Sequence, residues 1–248
     1  MSLRERVLHE VRTSFHSEPR FGPHGRVELD FSDGDLTIEG EVPTVAVKKL
    51  LLERAAAHPA VAGIVDRLHV IPLQAMGDSQ IRHLVRDALL EESALAEVAI
   101  REVVKGETLT VREPPDPCRG DICIEVGDGI VTLDGTVPSL AHKRLAGVLA
   151  WWVPGSRDVI NGLDVFPPEQ DNDEEITDAV RMALEKDPFV DASQISVATK
   201  ECVVTLEGVV PKEAEREMAE SDAWYVFGVD RVENHIMVHP AEPTGRYG

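Results

Sequence analysis

Apolar and polar residues alternate in three separate stretches of this chain, and each stretch runs into the same phrase. Leu36, Ile38, Gly40 and Val42 share one parity, as do Val131, Leu133, Gly135 and Val137, and Val204, Leu206, Gly208 and Val210. Period-two alternation predicts a strand with one buried face. A Gly on that inward face predicts the close approach of another element, such as the following helix. A second alternating run precedes each strand: Val27, Leu29 and Phe31, then Ile122, Ile124 and Val126, then Ile195 and Val197. The connections hold Asp33-Gly34, Asp128-Gly129 and Thr199-Lys200-Glu201. Asp-Gly between alternating runs predicts a hairpin, because Gly accepts a positive φ. The third connection lacks Gly, so a different turn is expected there.

Pro43, Pro138 and Pro211 stand three residues after the shared Gly. They predict a helix N-terminus, where the missing N–H of Pro is harmless. Thr44 and Ser139 are candidate caps. Ala46 with Leu50, Ala141 with Leu145 and Leu149, and Ala214 with Met218 then recur at helical spacing. Each helix is expected to end near Ala60, Gly155 or Gly228. A third strand follows, marked by Leu68 and Val70, Leu163 and Val165, and Ile236 and Val238. Asp66, Asn161 and Asn234 occupy one equivalent place before it and suit a turn or strand start. A leading helix carries Leu3, Val7, Leu8 and Val11 in the first unit. Ile81, Leu84, Val85, Ala88 and Leu89 do so in the second, and Ile176, Val180, Ala183 and Leu184 in the third.

The fold class is therefore α+β: three tandem helix-strand-strand-helix-strand units, α/β sandwich modules with a small mixed three-stranded sheet on two helices. The units are expected at residues 1–75, 76–168 and 169–240, with a disordered tail over 241–248. The shared glycines are 95 and then 73 residues apart. The extra length precedes the second hairpin, where Val103 to Val111 reads as an added strand pair. A stiff loop with Pro114, Pro115 and Pro117 follows, giving an insertion over about 101–120.

Composition narrows the function classes. The net charge of −20 opposes nucleic acid and anionic membranes at long range. Aromatic residues make up only 4%, which argues against base-stacking platforms. The three cysteines are too few and too odd in number for a disulfide framework, although Cys118 and Cys123 are near enough to pair in an oxidising compartment. Charged helical sequence follows Met1 with no apolar leader, and no stretch reaches membrane-spanning length, so a cytoplasmic location is expected.

The lines Asp128-Gly129-Ile130-Val131-Thr132-Leu133-Asp134-Gly135-Thr136-Val137 and Val203-Val204-Thr205-Leu206-Glu207-Gly208-Val209-Val210 resemble the BON domain family, the bacterial OsmY and nodulation domain. The resemblance extends over three tandem copies covering nearly all of residues 1–240. The first is the most divergent, with a longer lead-in through Pro19 to Gly25 and no Asn before its last strand. It implies a non-enzymatic module that binds phospholipid or another ligand in envelope maintenance and osmotic stress. Many family members are exported. Some cytoplasmic ones are potassium-sensing and pair the domain with a LysM segment, which this chain does not show. The resemblance carries over no lipid- or ion-binding residue.

Candidate chemistry is sparse. Asp171-Asn172-Asp173-Glu174-Glu175 fails as a calcium loop, because positions six and twelve hold Ile176 and Met182. It suits the start of a helix instead. The nine His are dispersed, and His83 with Asp87 supplies two ligands where zinc needs three or more. Ser139 and His142 could pair as nucleophile and base, but capping explains Ser139 more simply. No phosphate-binding Gly loop is present. No catalytic residue, metal site or cofactor is expected.

Gly40, Pro43, Gly135, Pro138, Gly208 and Pro211 are expected to be structural. Trp151, Trp152, Trp224 and Tyr225 are a candidate interaction surface, because adjacent aromatics cannot both face inward from one helix. The outward one would meet a neighbouring unit, a second copy in a homo-oligomer, or lipid. The expected function is a non-enzymatic binding or scaffold protein with an unidentified partner. The alternatives are a cytoplasmic cation or small-ligand sensor of the potassium type and a peripheral phospholipid-binding protein.

Overall fold

The structure, a computed structural model, describes residues 2–21, 26–114 and 119–239. Residues 22–25 of the lead-in, Pro115, Pro117 and Cys118 of the Pro-rich loop, and the tail from residue 241 lie outside the described residues.

Helix α1 (Leu3–His16) precedes the hairpin β1 (Arg26–Ser32) and β2 (Asp35–Val42), and α2 (Val45–Ala56) crosses to β3 (Gly63–Val70). The second unit runs α3 (Asp78–Glu91), β4 (Ala99–Val104), β5 (Glu107–Arg112), β6 (Asp121–Gly127), β7 (Ile130–Val137), α4 (Leu140–Trp151), β8 (Asp158–Asn161) and β9 (Asp164–Val165). The third runs α5 (Asp173–Lys186), β10 (Ile195–Lys200), β11 (Val203–Val210), α6 (Glu213–Tyr225) and β12 (Arg231–Val238). In each unit an antiparallel hairpin is followed by a helix and a parallel return strand. The second sheet is larger than the other two: the β4–β5 hairpin joins its edge, with β4 parallel to β6.

Three aliphatic cores lie between sheets and helices. In α1 the buried stripe is Val7, Val11 and Phe15, whereas Leu3 is exposed on the first turn. The shared Ala follows no single rule. Ala46 packs into the third unit's core, Ala141 borders a groove between α4 and α5, and Ala214 is exposed.

Gly40, Gly135 and Gly208 pair with Val27, Ile122 and Ile195 across their hairpins and have φ of +143°, +125° and +155°. A Cβ at these positions would collide with the carbonyl oxygen of Arg26, Asp121 or Gln194. The close approach is therefore made by the first strand of the same hairpin, not by the following helix. The positive φ turns the side-chain direction into that strand's backbone, a geometry Gly alone tolerates.

The prolines sit two residues before the first helical position instead of on it. Thr44 and Ser139 are the N-caps, each hydroxyl accepting from a backbone N–H at 3.3 Å, so Pro43 and Pro138 precede the cap. Pro211 likewise precedes Lys212, which provides no side-chain cap. The carbonyls before the prolines, on Val42, Val137 and Val210, accept from Ile71, Phe166 and His239 at the far end of the return strands.

The third hairpin turn does not differ from the others. Glu201 and Cys202 have φ of 51° and 61°, matching the left-handed pair at Asp33-Gly34 and Asp128-Gly129. Asp173, in the first turn of α5, holds this turn without Gly by accepting from the backbone N–H of Glu201 (2.8 Å) and Cys202 (2.9 Å). Those bonds hold its carboxyl below the usual carboxylate range. This contribution is present above the ordinary carboxylate pKa and is lost as pH falls through the depressed value. In the second unit Asp78 accepts from the backbone N–H of Asp128 (3.1 Å) and Gly129 (2.8 Å). Because a left-handed Glu is strained and Asn tolerates that conformation, Glu201→Asn should raise stability by about 0.5–1 kcal/mol in denaturant unfolding.

Candidate functional site

The second helices end where the units meet. Trp151, the last residue of α4, stacks on Tyr225, the last of α6, with ring centroids 5.6 Å apart and planes 9° apart. Both rings lie against the core of the first unit. Trp152 packs against the second and third cores and donates its indole N–H to Asp222 Oδ1 at 2.8 Å. Trp224 is only 1% exposed and belongs to the third core. The four aromatic residues are thus gathered at the inner joint of the three units, and Trp224 is not at a surface. The helix geometry explains the split, since consecutive side chains diverge and one enters its own core while the next meets a neighbour.

Buried and half-buried cations complete the joint. The Lys48 ammonium donates to Leu68 O (2.8 Å) and pairs with Asp66 (3.0 Å) and with Asp158 of the second unit (2.5 Å). Asp66 stands where the other units have Asn161 and Asn234. These two Asn instead donate to the backbone carbonyls of Lys143 and Arg216. An Asp has no such donor, and the Lys48 side chain supplies one.

Lys49 reaches from α2 into the third unit and donates to Trp224 O (2.9 Å), Val226 O (3.5 Å) and Val229 O (2.9 Å). A cation suits these carbonyls at the C-terminal end of α6. Burial pushes its pKa down to about 8, and Asp230 opposes that shift. Arg144 on α4 is 1% exposed, donates Nε–H to Phe227 O at 2.9 Å and pairs with Asp171. Ion pairs at the margins join Arg157 to Glu41, Lys186 to Glu92, and Arg231 to Glu53.

Ser139 and His142 are brought together, with Oγ and Nδ1 at 2.5 Å. The same Oγ accepts the His142 backbone N–H, so the hydroxyl caps α4. Burial lowers the imidazole pKa, with a backbone bond to Ala94 opposing it. The acidic run also forms a helix start. Asn172 Oδ1 accepts from Glu174 and Glu175 at 2.9 and 3.1 Å, while Asp171 faces Arg144. Among the described residues there is no cluster of three or more His, Cys, Asp or Glu placed to hold a metal. No helix among them is long and apolar enough to cross a membrane. The groove between α4 and α5 encloses about 40 Å³ and is lined by Ala141, Leu145, Val148 and Met182, with Glu175 and Asp178. That is room for little more than water.

Sequence reasoning missed Lys49, Arg144 and Asp222. The first two had a signal, since each is nine residues after the shared Gly. Asp222 had none.

The geometry defines a tandem α+β sandwich protein whose units are locked together by their second helices. The chain belongs to the BON domain family. The family's model matches residues 97–167 and 172–240, more than half of the chain and two copies of the domain. Osmotically-inducible protein Y of Escherichia coli (strain K12) is similar at 31% identity over 122 residues. That match covers 47% of this chain and 61% of the relative's length. Two solved structures of CdsD, a structural protein of the type III secretion system of Chlamydia trachomatis, align over 96% and 94% of this chain, and over 94% and 98% of their own. Their identities are 16% and 14% and the TM-score is 0.25 for both, too low to support an argument.

Proposed function

We propose that this protein is a non-enzymatic binding or scaffold protein of osmotic or envelope stress, built from three BON units at residues 1–75, 76–168 and 169–240. The observation that carries this reading is the use made of the repeated residues. In all three units the shared Gly admits a neighbouring carbonyl and the shared Pro precedes the helix start. The residue types that do chemistry vary from unit to unit, with Ser139 and His142 replaced by Thr44 and Val47 or Lys212 and Glu215. The first unit reads as a divergent third copy because its strand order and the register at Gly40 match those at Gly208. The name of the similar Escherichia coli protein supports the osmotic link.

The aromatic residues then serve to hold the units in register, which leaves the outer sheet faces and the β4–β5 hairpin for partners. A cation sensor would need ligands other than the carbonyls at the end of α6, which Lys49 fills. Osmotic upshift of the native host tests the reading. The protein's abundance should rise several-fold, and a deletion strain should recover growth more slowly unless complemented. Unchanged abundance together with unchanged recovery would overturn it.

A further inference from the structure

Asp222 is 2% exposed, and no part of the established fold accounts for a buried acid there. Its Oδ1 accepts the indole N–H of Trp152, which belongs to a different unit. Its Oδ2 is buried without a hydrogen-bond donor. Among the described residues no Lys, Arg or His forms an ion pair with it. The titratable group facing it from α5 is another acid, Asp187 at the helix C-cap, whose Oδ1 accepts from the Phe189 N–H. The neighbouring Lys186 turns away to Glu92. From α6 itself the facing group is Tyr225, and from α4 it is the uncharged Trp152. Ionising the buried Asp222 carboxyl beside Asp187 carries both a desolvation and a repulsion penalty. A proton on Asp222 Oδ2, donated to Asp187, removes the orphan and the repulsion together.

We propose that the joint between the second and third units is a proton-operated latch. One proton, held on Asp222 and shared with Asp187, keeps Trp152 seated, and the joint loosens progressively as the medium goes from acid to neutral.

Burial is the main cause raising the Asp222 carboxyl to about 8, with Asp187 adding to the shift and the Trp152 bond opposing it. The sign follows from proton linkage. Where Asp222 is freed it ionises from its ordinary 3.8, while in the closed joint it holds its proton up to about 8. Between those limits the open form binds fewer protons, so each pH unit raises the open-to-closed ratio about tenfold, and the rise stops above 8. Lys49 titrates near 8 as well, but its lowered pKa acts above that pH and with the opposite sign.

The test compares the full chain with Asp222→Asn, whose amide can donate to Asp187 and accept from Trp152. From pH 5 to 7.5 the wild-type unfolding constant should rise relative to the variant by about tenfold per pH unit, the one-proton slope. In the wild type, the Trp152 indole N–H resonance should titrate with a midpoint near 8, and in the variant it should not. Equal pH slopes for the two proteins would overturn the proposal. So would a Trp152 resonance in the wild type that stays unmoved between pH 6.5 and 9.5, a result that needs no folded variant.

Discussion

Gly135→Ala is expected to lower stability by about 3–5 kcal/mol, the sum of left-handed backbone strain and forced overpacking. The added Cβ collides with the Asp121 carbonyl, which is backbone inside a ladder and cannot rotate aside as a side chain would. Its φ of +125° makes the substitution strained even if that strand were to move. Gly127→Ala, a few residues away in β6, meets nothing within 4 Å and should change stability by less than about 0.5 kcal/mol. The contrast in urea unfolding isolates the close approach from a general effect of removing glycine. Gly40→Ala and Gly208→Ala meet the Arg26 and Gln194 carbonyls in the same way and should cost similar amounts. A loss at Gly135 no larger than that at Gly127 would mean that the shared phrase marks something other than backbone geometry.

Arg144→Met should lower stability by about 3 kcal/mol, the scale for breaking a buried ion pair. The guanidinium is 1% exposed and joins α4 to the third unit through Phe227 O and Asp171. Met replaces the aliphatic stem but leaves the Phe227 carbonyl without its donor. Asp171 is 39% exposed and can rehydrate, which keeps the loss from being larger. Nη1 has no partner in the wild type, so part of the native bond strength already offsets its desolvation. Arg144→Lys should rescue little, because one ammonium cannot reach both acceptors with the geometry of a planar fork. Asp171→Asn should cost much less than Arg144→Met, since the Phe227 bond survives. Equal losses for the two would show that the ion pair, rather than the carbonyl bond, holds the joint.

The contrast between these two sites shows which parts of the molecule local pattern reveals. Gly135 stands in an alternating strand after an Asp-Gly turn, and its inward parity is visible without any tertiary knowledge. The partner in its close approach was not visible, since the positive φ that aims it at Asp121 arises only once the hairpin is formed. The turn at Glu201-Cys202 misled for a related reason. Its composition favours another shape, and Asp173, 28 residues earlier, supplies the two hydrogen bonds that hold it. The aromatic pairs showed that something had to project from each helix end. Their sequence could not separate a neighbouring unit from a second chain or lipid.

The amino-acid order alone determined three hairpins, the helices that follow them and the inward parity of their apolar residues. Strand alternation, helical spacing and turn chemistry are set by near neighbours, so they are written locally. Only the tertiary structure decided that Arg144 and Asp222 are buried and Lys49 half-buried where units meet, and that Trp151 rests on Tyr225. Those properties depend on surfaces brought together from distant parts of the chain. The removal of water from charged groups there is the work of the whole assembly, not of any neighbouring residue.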